Sequence, residues 1–163
     1  MLAWEEEQLI HVGAEAAVSS GRFLGLPAVR KIRRPRAYRN PALDRRLTTH
    51  RMSSEAKMLA RLSSSSLPVP RLLACEMSSG IMVQSLRLGL QLVDVLRDGK
   101  SDVESLMKKV GFNIRQLHSV GAGHGDLTTN NILWDEQQGV SLIDFGLSQW
   151  TTEVERMGLD LQV

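Results

Sequence analysis

Cysteine is nearly absent from this 163-residue chain: Cys75 stands alone. That excludes an internal disulfide and suits a reducing compartment. Aromatic residues are scarce, at 4%, and only Tyr38 falls in the basic region described below, so recognition of nucleic acid by base stacking is not expected. There is no RNA motif of the RRM, KH or zinc-knuckle type. No run of 18 apolar residues occurs, which excludes a spanning helix. The opening MLAWEEEQLI is acidic and lacks a basic n-region, so no secretory signal is expected. The net charge of +2, from 20 Lys+Arg and 18 Asp+Glu, excludes nothing. Its distribution is more informative. Residues 30–51 hold nine Lys/Arg against Asp44, whereas residues 124–163 hold seven acidic residues against Arg156. A basic patch precedes an acidic half.

What the chain does have is concentrated in residues 124–146, HGDLTTNNILWDEQQGVSLIDFG. Asp126 and Asn131 lie five residues apart in one loop, and two short strands lead back to Asp144. Protein kinases use this arrangement: a catalytic-loop Asp, an Asn that binds metal, and a second metal-binding Asp before Phe-Gly. A carboxylate can orient and deprotonate a hydroxyl. An amide oxygen and a second carboxylate are hard ligands suited to Mg²⁺. One DFG alone is weak; HGDLxxxN followed at this spacing by Ile-Asp-Phe-Gly is specific. The bland reading is a loop Asp with an Asn cap and a polar turn.

Upstream, residues 1–7 read as a short polar arm with at most a helical turn. From Leu9 to Ile32, apolar clusters punctuated by Gly13, Gly21 and Gly25 predict three antiparallel strands. The first hairpin carries Gly13-Ala14-Glu15-Ala16, whose backbone N–H groups are candidates to cover a nucleotide; an ordinary hairpin is the alternative. Lys31 ends the third strand, where a kinase places its phosphate-pairing lysine. Arg30 faces the opposite way and sits where an apolar residue would be expected. Pro35 and Pro41 delay the helix to about Leu43. Met52, Ala56, Leu59 and Leu62 then form an apolar stripe, with Glu55 beside it to meet Lys31. The basic run is either a solvated face or a surface for a polyanion such as tRNA. Val69–Glu76 and Gly80–Leu86 read as the fourth and fifth strands. Adenine is expected on the backbone near Gln84–Leu86, with Met82 as gatekeeper candidate. A short helix is expected over Leu90–Arg97, stopped by Gly99. Ser101 to Glu104 is a capping-box pattern before a longer helix that carries the catalytic loop. His118, near its end, is assigned no chemistry. The expected division is 1–86 for an N-terminal lobe and 87–163 for a shortened C-terminal lobe.

Taken together, GAEA at 13–16, YRNPALDRRL at 38–47, HGDLTTNN at 124–131 and LIDFGLS at 142–148 closely resemble the PRPK (p53-related protein kinase) family. This is the small atypical kinase/ATPase subunit of the KEOPS (EKC) complex. The resemblance runs from about Leu9 to Leu161. It implies an α+β, two-lobed protein-kinase-like fold, minimal and with a truncated C-terminal lobe. It implies ATP and Mg²⁺ as cofactors, Lys31 and Glu55 as the ion pair and Asp126 as catalytic Asp. Asn131 and Asp144 are then the metal ligands, and His124 and Asp160 structural supports. Gly13, Ala14, Glu15, Ala16, Lys31, Gln84 and Leu86 are the expected nucleotide contacts. The implied activity is serine/threonine phosphorylation or ATP hydrolysis in support of tRNA threonylcarbamoyladenosine formation. The implied partners are a sugar-kinase-like threonylcarbamoyl transferase and other KEOPS subunits, with tRNA reached indirectly or through residues 30–51. Protein substrates are expected, a membrane is not, and the expected location is cytoplasmic or nuclear. The chain departs from the family's pattern at Gln84 and Asn130, around Arg156, and in ending shortly after Asp160. On that ground Asp160 is expected in a frayed end, with turnover low until a partner orders it. The rivals are a catalytically weak scaffold and a small-molecule phosphotransferase of the aminoglycoside-kinase type.

Overall fold

Arg30 shows why the first strand starts earlier than the sequence indicates. The computed structural model describes residues 3–13, 16–35, 40–99 and 102–162. In it, strand β1 (Trp4–Val12) replaces the expected polar arm. The Arg30 guanidinium pairs with Glu6 and lies 4.8 Å from the centroid of the Trp4 ring. The acidic run that reads as a loop is therefore one wall of a sheet. Its side chains are almost all exposed, so no alternation of apolar and polar residues marks it as a strand.

The chain divides into two compact units, residues 1–60 with 71–86, and residues 61–70 with 87–163. The first unit holds a five-stranded antiparallel sheet in the order β1-β2-β3-β5-β4. Its other strands are β2 (Ala16–Phe23), β3 (Leu26–Arg33), β4 (Leu72–Glu76) and β5 (Ile81–Ser85). One face buries Phe23, Ala28 and Val83 with Trp4, Leu73, Ala74 and Ile81 packed around them. The register Lys31↔Met82 and Val29↔Gln84 puts Lys31, Met82 and Gln84 on the other face. Helix α1 (Pro41–Leu62) begins two residues before the sequence suggests. The Asn40 side chain accepts from Ala42 N at 2.9 Å, and Pro41 takes the first helical position, where its missing N–H costs nothing. The stripe Met52, Ala56, Leu59 and Leu62 is buried, as are Glu55 and Met58. Each large apolar side chain so buried contributes roughly 1.5–3 kcal/mol.

The second unit differs from the sequence division because the segment after α1 packs with it. The Leu142 N–H donates to the Pro68 carbonyl (3.0 Å), Leu67 and Val69 are buried, and the Arg61 guanidinium stacks 4.2 Å from the Trp150 ring centroid. Strand β6 (Leu90–Gln91) leads into α2 (Leu92–Asp98), which Gly99 stops at φ +65°. Helix α3 (Val103–Ser119) is capped by Asp102, whose carboxylate accepts from Ser105 N, rather than by Ser101, which lies outside the described residues. Leu106, Val110, Ile114 and Leu117 are its buried stripe. After it come β7 (Ala122–Gly123), the hairpin β8 (Ile132–Asp135) and β9 (Gly139–Leu142), then β10 (Gln149–Trp150), which pairs with β7. A short helix α4 (Val154–Gly158) runs into a 3₁₀ turn at Leu159–Leu161.

Candidate active site

The HGD loop follows β7, and its first two backbone N–H groups are held by one carboxylate. Asp160 is 2% exposed. Its Oδ2 accepts from His124 N at 2.8 Å and its Oδ1 from Gly125 N at 2.8 Å, while His118 Nε2 lies 2.9 Å from Oδ2. The expectation of a frayed end at Asp160 is thus corrected. Three partners, rather than helix length, fix the 3₁₀ turn that carries it. His118 was missed because no spacing rule links the end of α3 to a residue 42 positions later. Gly125 stands where ordinary kinases carry arginine, and the backbone explains it. Its φ is +78°, and a Cβ there would come 2.4 Å from the Leu147 carbonyl oxygen.

His124 is fully buried against the Phe145 ring, with centroids 4.7 Å apart. Its Nε2 lies 2.9 Å from the Ile143 carbonyl and its Nδ1 accepts from Asp126 N at 3.3 Å. A carbonyl only accepts, so the proton sits on Nε2 and the ring is neutral. Burial pushes its pKa below the usual value, against the pull of the Ile143 carbonyl and of Asp160, Asp144 and Asp126.

The Asp126 carboxylate is exposed. Asn131 Nδ2 donates to the Asp126 carbonyl at 2.8 Å and lies 3.3 Å from its Oδ2. The β8–β9 ladder pairs Ile132 with Leu142, and one step beyond it Ile143 N donates to Asn131 O at 2.9 Å. Asn131 and Asp144 therefore emerge at the same end of one hairpin. Asp144 has φ +65°, left-handed and uncommon outside glycine. With the Asn131 nitrogen turned to Asp126, the amide oxygen points the other way, so the site offers one amide oxygen and one carboxylate. No cluster of three or more His, Cys, Asp or Glu suited to a metal occurs among the described residues. An amide oxygen and a carboxylate are hard oxygen donors that fit Mg²⁺, which binds through one or two carboxylates with substrate phosphates and water.

In the first unit, Glu55 is fully buried. Lys31 Nζ donates to its Oε1 at 2.8 Å, Arg33 Nη2 to its Oε2 at 3.0 Å, and Gln84 Nε2 to its Oε1 at 2.9 Å. Arg33 was missed, although strand alternation from Lys31 puts it on the same face. Gln84, an expected nucleotide contact, turns its side chain inward to Glu55. The Leu86 N–H, expected for adenine, donates to the Pro27 carbonyl at 3.1 Å. Gly13 N closes the first hairpin onto the Ala16 carbonyl at 2.9 Å, while Ala14 and Glu15 lie outside the described residues. Of the basic run, Lys31 and Arg33 are committed to the buried Glu55 and Arg30 to the exposed Glu6, whereas Arg45 and Arg46 are exposed on α1. Tyr38, Arg36 and Arg39 lie outside the described residues.

A crystal structure of Rio2 kinase from Chaetomium thermophilum, described as an ADP/Mg²⁺-phosphoaspartate complex, matches with a TM-score of 0.76. The match covers 98% of this chain and 54% of that one at 20% identity, and shows the fold. A family profile, the lipopolysaccharide kinase (Kdo/WaaP) family, matches residues 28–158. Fold, loop and profile together define a protein-kinase-like chain. Within that class, the EKC/KEOPS complex subunit BUD32 of Gibberella zeae is 32% identical, over 95% of this chain and 68% of its own. Subunit Tp53rkb of Mus musculus is 32% identical, over 96% and 68%. The chain belongs to the BUD32 family of EKC/KEOPS subunits, as its motifs indicated. A probable bifunctional tRNA threonylcarbamoyladenosine biosynthesis protein of Methanothermobacter thermautotrophicus is 35% identical over 93% of this chain, which spans 27% of that longer protein. No helix among the described residues is long and apolar enough to cross a membrane.

Proposed function

We propose that this chain binds ATP with Mg²⁺ and transfers or hydrolyses the γ-phosphate as the kinase-like subunit of an EKC/KEOPS assembly, in support of tRNA threonylcarbamoyladenosine formation. The observation that carries this reading is the loop in which Asn131 donates to Asp126 while Asp144 emerges beside it. Asp126 is the catalytic carboxylate: exposed, and oriented by the Asn131 amide, it accepts the proton of a serine or threonine hydroxyl, or positions water. Lys31, held by Glu55, meets the α- and β-phosphates. Asn131 Oδ1 and the Asp144 carboxylate would hold Mg²⁺, which when bound neutralises phosphate charge. Gly13 and Ala16, at the ends of the first hairpin, are assigned to the phosphates, and the segment Gln84–Leu86 to the base. The names and sequence similarity of the BUD32 relatives support the assembly, and those of the Methanothermobacter tRNA threonylcarbamoyladenosine biosynthesis protein support the tRNA role, with a threonylcarbamoyl transferase subunit as the direct partner we propose. Exposed Arg45 and Arg46 are the groups of the basic run best suited to meet tRNA phosphates.

The test is γ-phosphate turnover by the full chain with and without the transferase subunit. Turnover by the isolated chain, and its loss in Asp126→Asn in either state, are expected. Calorimetry should show ATP affinity falling when a chelator removes Mg²⁺. ATP binding without turnover in either state would favour a scaffold role instead.

A further inference from the structure

Glu55 collects more partners than an ion pair needs. One cation would satisfy its charge, yet Lys31 and Arg33 flank the carboxylate from neighbouring inward positions of β3, one on each oxygen, and Gln84 adds an amide donor on the oxygen that Lys31 uses. All of these groups belong to the first unit. Arg33 and Lys31 side chains are each 12% exposed, so the field between them and Glu55 is only weakly screened by water. The guanidinium is planar and permanently charged, and holds an oxygen in a fixed direction. The ammonium is a point charge whose three N–H donors can be shared among acceptors. With Arg33 on Oε2 and Gln84 competing at Oε1, Glu55 draws on Lys31 less exclusively than a lone carboxylate would.

We propose that Arg33 is a positioning residue for the nucleotide phosphates: by holding Oε2 of Glu55, it leaves the Lys31 ammonium shared between Oε1 and phosphate oxygens. This rests on the nucleotide reading above. It also means that Glu55, and α1 with it, stays turned to the sheet through Arg33 and Gln84 whatever Lys31 does.

Calorimetry of the full chain with Mg²⁺ should compare adenosine, ADP and ATP for wild type, Arg33→Gln and Arg33→Lys, with folding checked by thermal melting. In Arg33→Gln, ADP and ATP should bind about tenfold more weakly, while adenosine stays within about twofold of wild type. Arg33→Lys, which keeps the charge and loses the planar geometry, should recover only part of the phosphate-dependent affinity. A merely structural role would weaken adenosine and ATP alike, and that result in either variant would overturn the proposal. So would ATP affinity unchanged in folded Arg33→Gln. If Arg33→Gln does not fold, Arg33→Lys decides: ATP affinity reduced with adenosine affinity kept supports the proposal, and equal loss of both, or no loss in either, refutes it. A wild-type chain that binds no ATP would overturn the nucleotide reading itself, and this one with it, which separates the two failures.

Discussion

Glu55 in the first unit and Asp160 in the second are both buried carboxylates that organise polar residues, but they collect different partners. Glu55 accepts from three side chains, two of them cationic. Asp160 accepts from two backbone N–H groups and faces one imidazole. A carboxylate that holds side chains fixes where charges point and leaves the backbone to the sheet. A carboxylate that holds backbone N–H groups fixes the chain itself, here the turn that presents Asp126. Damage at Glu55 should therefore appear first in binding of charged ligands, and damage at Asp160 first in folding of the loop.

Breaking the backbone-held side should have the largest effect. Asp160→Ala strands the buried His124 N–H, at a cost of about 1–3 kcal/mol, and also removes the partner of the Gly125 N–H and of His118. A loss of about 3 kcal/mol or more in urea unfolding is expected, together with loss of turnover. A folded Asp160→Ala protein of native stability would erase the contrast. Next comes Gly125→Ala. The added Cβ meets backbone rather than a movable side chain, at 2.4 Å from Leu147 O, and φ is +78°. We expect a cost of about 2 kcal/mol in the melting curve, with turnover falling further than stability because Asp126 is the adjacent residue.

On the other side, Glu55→Gln keeps the size and removes the charge that Lys31 and Arg33 share. Both cations retain some solvent contact, so stability should fall by about 1–2 kcal/mol. ATP affinity, measured by calorimetry, should fall more steeply than the melting temperature implies. Equal effects on stability and affinity would show that the network is only a staple for α1.

The two sides were not equally legible in the sequence. Asp126, Asn131 and Asp144 could be read because their relation is local: one loop and one tight hairpin, whose register is fixed by Gly139 at φ +75°. The pairing of Lys31 with Glu55 was legible because a strand end followed by a helical stripe places it. Gln84 and His118 were not assigned to these networks, because their partners lie 29 and 42 residues away and nothing in local spacing joins them, whereas Arg33 was within reach of strand alternation from Lys31. The first half of β1 was hidden for another reason. It is an edge strand with exposed acidic side chains, so it lacks the alternation by which a half-buried strand is recognised. The α3 cap was misplaced by one residue because Ser101 and Asp102 are both good caps, and the choice between them depends on the backbone.

The smallest effect expected is a pH dependence confined to the backbone-held side. His124 is neutral there, with Nε2–H donated to Ile143 and Nδ1 accepting the Asp126 N–H. Protonation would set a second N–H against that backbone N–H in a buried position. Burial accordingly pushes the folded-state pKa below the ordinary 6.5, although Asp160, Asp144 and Asp126 pull the other way. The sign follows. Below pH 6.5 the unfolded chain takes up a proton that the folded chain resists, so it binds more protons and stability rises with pH. The contribution of neutral His124 is fully present above that pH and is lost as pH falls towards the folded-state value. Thermal melts at roughly pH 7.5 and 5.5 should show a lower midpoint at the acid end. His124→Asn should lower the midpoint at both pH values and reduce the difference between them. A full pH dependence surviving in His124→Asn would assign it to another group and leave His124 with a packing role against Phe145.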